Sequence, residues 1–273
     1  MRLFFFKKCT FLFWDYILII YTRKCVIFFD YFCISISIIK MRLITTPKIL
    51  RMLYPSFLWE MPKGEKKLYI TFDDGPHPTI TPQVLEILKK FNAKATFFCI
   101  GNNVNKYKET FELVKKEGHA VGSHTYNHER GWKTKTQDYV NSVIEANALI
   151  QSPLFRPPHG RIKFSQIRRL YKKFRISESQ NLRKDKSELL KFESSRILNF
   201  KIVAWTVISY DWDKSLSPED CFNNVIKNAD DGSIIVFHDS EKAVNNMIPA
   251  LTKVLEYYSE KGFTFCSIRN EEL

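Results

Sequence analysis

From residue 68 onward, short apolar runs alternate with stretches whose apolar residues recur at helical spacing. The runs at 68–72, 95–100, 119–122, 154–156, 200–208, 233–237 and 263–266 read as strands, being short, rich in apolar and β-branched residues, and bounded by Gly, Pro or polar positions. The intervening pattern predicts helices. One covers 81–91, with Thr81 as N-cap and Pro82 in its first turn. A second covers 104–117 and is closed by Gly118. A third covers 136–150, with Val140, Val143, Ile144 and Ala148 on one face. Others cover 164–174 and 245–260, and one opens at Ser217-Pro218-Glu219-Asp220. About seven strand–helix units predict a parallel sheet with helices outside, closed or nearly closed into an α/β barrel. No Gly-x-Gly-x-x-Gly follows the first strand, which disfavours a dinucleotide-binding sheet.

The polar residues gain meaning from this map. Asp73 and Asp74 follow the first strand, His124 and His128 the third, and Arg156 ends the fourth. Asp211 follows the 200–208 run, and His238-Asp239 the run at 233–237. All fall at the carboxyl ends of strands, the face of an α/β barrel that carries active sites. In Thr71-Phe72-Asp73-Asp74-Gly75-Pro76, two adjacent carboxylates stand where an apolar run stops at a Gly-Pro turn. His124 and His128 occupy the ends of a His-x-x-x-His spacing, which on a helical turn projects both rings from one face. One carboxylate and two imidazoles make a three-ligand metal site with open positions, and the second carboxylate is left to act as a base. The plainer readings are a solvated His pair, a turn-capping Asp73, a surface ion pair for Arg156 and a satisfied structural His238. His77 and His119 read as structural or incidental.

These residues carry a family likeness. Residues 67–268 resemble the polysaccharide deacetylases, carbohydrate esterase family four, also called the NodB homology domain, a family known by five short motifs. Residues 71–76 match the first motif. His124-Thr125-Tyr126-Asn127-His128, preceded by Gly122-Ser123, matches the second. Arg156-Pro157-Pro158-His159-Gly160 matches the third, with His in place of Tyr, and Phe237-His238-Asp239 matches the fifth. The fourth, Asp-x-x-Asp-Trp, keeps only Asp211-Trp212, with Ile208 where its first Asp belongs. The resemblance implies a distorted (β/α) barrel and metal-dependent removal of acetyl from N-acetylated amino sugars in a polysaccharide. It implies Asp74, His124 and His128 as ligands of a divalent metal, zinc before iron, cobalt or nickel. Asp73 is then the general base, Arg156 the group that orients it, and His238 the general acid. Asp211 stands in for the lost acid, and a backbone N–H at His159 holds the oxyanion. Trp205, Trp212 and Phe237 either line a sugar-stacking groove or belong to the barrel core. The implied partner is an acetylated glycan. The alternatives are a non-catalytic carbohydrate- or metal-binding relative, which Ile208 favours, and a basic surface-binding protein.

Composition changes the picture at two places. Residues 1–40 are dense in Phe, Ile, Tyr and Cys and contain no Gly or Pro. Their two apolar runs, 9–21 and 25–39, are split by Arg23-Lys24, contain Asp15 and Asp30, and are short for membrane spans. No small-x-small cleavage site follows. Met41-Arg42-Leu43 resembles a start, so one reading takes 1–40 as translated upstream sequence of a cytoplasmic protein. The other takes 1–40 as genuine, with a membrane-anchored or exported protein. The division expected is an N-terminal segment, 1–61, before a catalytic domain, 62–273. Within that domain, the polar stretch 175–199 reads as a surface insertion with a short helix near 188–192. The net charge of +13 suits solubility or an anionic polymer. No Arg/Lys block is interleaved with stacking aromatics, so no nucleic acid partner is expected. None of the six cysteines forms Cys-x-x-Cys, so buried free thiols are expected rather than a disulfide scaffold or a Cys-based zinc site.

Overall fold

A computed structural model describes residues 42–181 and 200–269. The readings of residues 1–40 and of a short helix near 188–192 concern residues outside that description.

β1 (Lys67–Asp73) lies at the centre. It pairs in parallel with β2 (Thr96–Cys99) on one side and β7 (Ile234–His238) on the other. β3 (Ala120–Ser123), β4 (Leu154–Phe155) and β5 (Lys201–Ile202) extend the β2 side, and β6 (Val207–Ile208) extends the β7 side. β8 (Thr264–Phe265) pairs with the first two residues of β1. Seven parallel strands thus curl into a distorted, incomplete (β/α) barrel in the order β5-β4-β3-β2-β1-β7-β6. Strands covered on both faces read as unbroken apolar runs rather than alternating ones, which is why they stood out in the sequence.

The helices are α1 (Lys48–Leu53), α2 (Ile80–Lys90), α3 (Gly101–Lys106), α4 (Lys108–Lys116), α5 (Thr136–Ile150), α6 (Phe164–Asn181), α7 (Pro218–Ile226) and α8 (Val244–Glu260). Each of the larger ones buries one face. α2 contributes Val84, Leu85 and Leu88, and α8 contributes Met247, Leu251, Val254 and Leu255, to a core that includes Phe72, Phe97 and Phe237. α7 opens where expected, with a reciprocal capping box between Ser217 and Asp220. Among the described residues, no helix is long and apolar enough to cross a membrane.

Four expectations change. The 104–117 helix is two, α3 and α4, because Tyr107 leaves helical geometry at φ −122° and ψ 55°. α2 starts two residues early, with Thr79 rather than Thr81 at its N-cap position and no side-chain cap. His77 does the capping instead: its Nδ1 accepts from the backbone N–H groups of Thr79 and Ile80, both at 3.3 Å. Thr81 is buried, and its hydroxyl accepts from the His77 N–H and donates to Asp239. The 164–174 helix runs on to Asn181, into the stretch expected as insertion.

The fourth change is the largest. The 200–208 run is not one strand. β5 pairs with β4 and β6 with β7, so consecutive strands lie at opposite edges of the sheet. The chain steps across the opening over residues 203–206, and no single strand can pair with both edges. Residues 44–58 cover this seam. Ile208 N–H donates to Ile44 O, Thr46 N–H to Thr206 O, Leu58 N–H to Ile202 O and Ala204 N–H to Leu58 O.

Candidate active site

β1 delivers its last residue, Asp73, to the rim beside His238, its register partner on β7. Asp73 is 5% exposed, and its Oδ1 accepts from Arg156 Nη1 at 2.8 Å. Arg156 follows β4 and is fully buried. A guanidinium so placed needs every donor used. Nη1 also donates to Thr71 Oγ1 at 2.7 Å, Nε to Val203 O at 3.3 Å and Nη2 to Ala204 O at 2.9 Å. The Phe98 ring lies beneath it, 4.0 Å from Cζ to the centroid. Burial pulls the guanidinium's pKa down and the Asp73 carboxylate pulls it back up, a mutual dependence typical of a buried ion pair.

Asp74, in the left-handed region at φ 81°, turns its carboxylate away from β1. Its main-chain carbonyl accepts from Asn103 Nδ2 at 2.8 Å, which anchors the turn. His124 and His128 sit in the loop after β3, not on a helical turn as the spacing suggested. Thr125 and His128 are both left-handed, at φ 65° and 59°, an uncommon state for non-glycine residues and a costly one for a β-branched threonine. Tertiary bonds hold them there: Gly101 N–H donates to Thr125 O, and Glu129 N–H to Thr125 Oγ1. The loop thereby folds the two imidazoles to a centroid separation of 5.1 Å.

His124 is buried, and its Nδ1 lies 2.8 Å from Arg156 O. A carbonyl only accepts, so Nδ1 carries the proton and Nε2 presents a lone pair. Burial is the main reason its pKa falls to about 4, against the pull of Asp73, so the ring is neutral at physiological pH. Nε2 lies 3.8 Å from Asp74 Oδ1, and His128 Nε2 lies 3.2 Å from the same oxygen. Burial raises the Asp74 pKa, but the imidazoles around it, His238 first, outweigh burial and hold the carboxyl below its ordinary range. Its Oδ1 is buried without a hydrogen-bond partner. The three ligand atoms lie within 4.8 Å of one another. An acceptor oxygen facing a ring lone pair is an arrangement that a cation relieves, so these residues fit a divalent metal.

Asp211 is fully buried beside His238. Its Oδ1 lies 2.8 Å from His238 Nδ1, and its Oδ2 accepts the His238 backbone N–H at 2.7 Å. Burial works against a charged imidazole, but the Asp211 carboxylate prevails and the His238 pKa rises to about 9. Trp212 packs edge-on to His238 with centroids 4.6 Å apart. Both Asp211 oxygens are thus engaged by His238, and Ile208 ends β6.

His159 sits at φ 57° in the 3-10 turn Pro158–Gly160, and its ring meets His128 at 4.6 Å. Burial, then the neighbouring His128 and Arg130, lower its pKa to about 4. Trp205 fills the space against Gly160, where an added Cβ would meet its ring at 2.6 Å. Phe237 does not line a groove. It is fully buried with its ring 6.2 Å from Phe72, because β7 is covered on both faces and only His238, one residue on, reaches the rim. His119 lies away from this cluster, its Nδ1 accepting from Ala95 N–H at 3.2 Å. Cys99 and Cys221 are buried and Cys266 is half-buried, all three outside any disulfide.

Sequence reasoning placed two further participants in its motifs without giving either a role. Thr71 braces Arg156, and nothing in a strand pattern marks a threonine for that task. Asp239 is buried with Oδ2 accepting from Thr81 Oγ1 at 2.5 Å, and burial lifts its pKa to about 8. It lies against Gly75, where a Cβ would come within 2.2 Å of Oδ2. The Gly in the Asp-Asp-Gly-Pro turn is thus dictated by a carboxyl from β7.

The family profile described as polysaccharide deacetylase matches residues 60–176. A peptidoglycan-N-acetylglucosamine deacetylase of Bacillus cereus is 31% identical over 217 residues, spanning 77% of this chain and 90% of that protein. A chitooligosaccharide deacetylase of Azorhizobium caulinodans is 31% identical over 183 residues, 65% of this chain and 75% of that protein. Among solved structures, the Bc1960 peptidoglycan N-acetylglucosamine deacetylase, in complex with 4-naphthalen-1-yl-N-oxidanyl-benzamide, aligns with a TM-score of 0.67 at 28% identity, over 82% of this chain and 95% of that one.

Proposed function

We propose that this chain, which belongs to the polysaccharide deacetylase family, hydrolyses the acetamide of N-acetylated amino sugars in a glycan of the peptidoglycan type. The observation that carries the reading is the junction of two buried systems. Asp73, gripped by Arg156, stands one residue from Asp74, whose unpaired oxygen faces two imidazoles.

Asp74, His124 and His128 would hold the family's divalent metal, and one oxygen with two ring nitrogens suits zinc, with iron, cobalt or nickel as substitutes. When bound, such an ion lowers the pKa of water and polarises a carbonyl oxygen. The remaining work falls to the chain's own groups. Asp73 accepts the proton of the attacking water at Oδ2, because Oδ1 is engaged by Arg156. Arg156 keeps that carboxylate aimed. The water oxygen bonds to the acetyl carbon, and a backbone N–H at His159 steadies the carbonyl oxygen as it gains charge. His238 then gives the proton on Nε2 to the amide nitrogen as the C–N bond breaks. An unprotonated amine is a poor leaving group, and Asp211 keeps this imidazole charged until that moment. Acetate and a free amino sugar result, and His238 regains its proton from the one held by Asp73. Trp212, packed on His238, is placed to shield this transfer from water.

The test is acetate release from N-acetylglucosamine oligomers and from purified peptidoglycan, with metal content measured on the same sample. Release that stops with chelator and returns with zinc is the expected result. A fully metal-loaded protein that frees no acetate from any acetylated glycan overturns the reading.

A further inference from the structure

Beyond the Asp74–His124–His128 cluster, the rim holds a side chain whose position is tightly fixed although it faces water. Trp132 is 56% exposed. Its Nε1 nevertheless donates to Ile162 O at 3.3 Å, and the Arg161 guanidinium lies over its ring, 5.2 Å from the centroid. The loops that carry the pair are interlocked. Gly131 admits no side chain, since a Cβ would come within 2.2 Å of Arg161 O. Gln166 Nε2 donates to Gly131 O at 2.9 Å, and Lys163 Nζ to Thr134 O at 2.8 Å. These are the loops of His128 and His159, whose rings touch at 4.6 Å. Trp132 and Arg161 are therefore tied to the candidate active site through the chain itself.

A fixed, solvent-facing indole is a stacking surface for the C–H face of a pyranose, and a guanidinium beside it is a fork for a carboxylate. The surroundings are cationic: Arg130, Lys133 and Lys135 are exposed on the same loop. Of the nearby acids, Glu129 is turned back to accept the Asn127 N–H, and Asp138 lies in the first turn of α5. An aromatic platform edged by cations selects a sugar that carries negative charge.

We propose that Trp132 and Arg161 form a subsite for a carboxylate-bearing pyranose, next along the glycan from the N-acetylated residue that is hydrolysed. The proposal rests on the deacetylase reading above and narrows it. The substrate is an acidic glycan whose lactyl-ether carboxylates are free, as in peptidoglycan strands stripped of their stem peptides, and a neutral chitin-like chain is the poorer substrate.

The experiment uses the full, zinc-loaded chain and two tetrasaccharides, one all N-acetylglucosamine and one alternating N-acetylglucosamine with N-acetylmuramic acid. Arg161→Gln raises KM for the acidic tetrasaccharide about tenfold more than KM for the neutral one, the size of one charge-assisted hydrogen bond. Trp132→Ala raises KM for both substrates, and Trp132→Phe restores most of the loss. An Arg161→Gln protein with the same acidic-to-neutral KM ratio as the parent overturns the proposal, as does a folded Trp132→Ala protein with unaltered KM. Both residues are exposed enough for folding to survive, and circular dichroism checks this. If the parent releases no acetate from either tetrasaccharide, the deacetylase reading falls on its own. Calorimetric Kd values for the acidic tetrasaccharide then judge the subsite: weakening by Arg161→Gln upholds it, and equal Kd values overturn it.

Discussion

Replacing Asp211 with Asn keeps the shape of the group facing His238 and removes its charge. The contact is direct on two atoms, with Nδ1 2.8 Å from Oδ1 and the backbone N–H 2.7 Å from Oδ2. The His238 side chain is only 15% exposed, so solvent screens the pair little. Its pKa rises from 6.5 to about 9, which corresponds to about 3 kcal/mol in favour of the folded, protonated form. The sign follows from which state binds the proton more tightly. Folded His238 does, so the contribution is complete below about pH 6.5 and disappears as pH rises through about 9. Urea unfolding in chelator, at several values across that interval, should show the parent losing stability by about that amount. In Asp211→Asn, burial is opposed only by the weaker pull of Asp74 and Asp73, the imidazole becomes neutral at lower pH, and the decline across the same interval shrinks. Activity follows the same group. The parent's kcat/KM falls on the alkaline side as His238 loses its proton, and the variant's limb moves to lower pH. Parallel stability curves for parent and variant would refute the assignment of this pKa to the Asp211 pair.

Asp73→Asn should retain the metal, measured by elemental analysis, and lose about 10²–10⁴-fold in turnover; full activity contradicts its role as base. Asp74→Ala and His128→Ala should fail to retain the ion on equilibrium dialysis, while their folds persist by circular dichroism. Gly75→Ala should lower the unfolding free energy from urea titration by about 1–3 kcal/mol, since its Cβ meets the Asp239 carboxyl, and the paired change Asp239→Ala should recover part of it. An unchanged midpoint for Gly75→Ala would show that the turn relaxes freely.

How much was legible in advance depended on how local each cause was. The strands of the parallel sheet were visible because burial on both faces leaves runs such as Leu-Tyr-Ile-Thr-Phe with no charged residue. The break at Val203–Ala204 was not, since an apolar run does not record that its two ends pair with different neighbours. The identities of Asp73, Asp74, His124, His128, Arg156 and His238 were readable, because rare polar residues at strand ends are conspicuous. Their conformations were not. Thr125 and His128 take up left-handed backbone under bonds from other parts of the loop and from Gly101, and a His-x-x-x-His spacing alone suggests a helical turn. Asp211 could be proposed as a replacement for the acid missing at Ile208, but only coordinates place both its oxygens on His238. The task of Asp239 was hidden for the same reason, its tie to Gly75 and Thr81 spanning more than 150 residues of sequence.

The crossing at residues 203–206 has a mechanical consequence. Arg156 grips the carbonyls of Val203 and Ala204 with one side of its guanidinium and Asp73 with the other. The arginine is in effect a tie-rod between the open side of the barrel and the central strand. Any widening of the opening would drag the Asp73 carboxylate with it, so the floor of the cleft is held at constant depth. Accommodation of differently decorated glycans therefore falls to the walls, above all to the loops bearing Trp132 and Arg161.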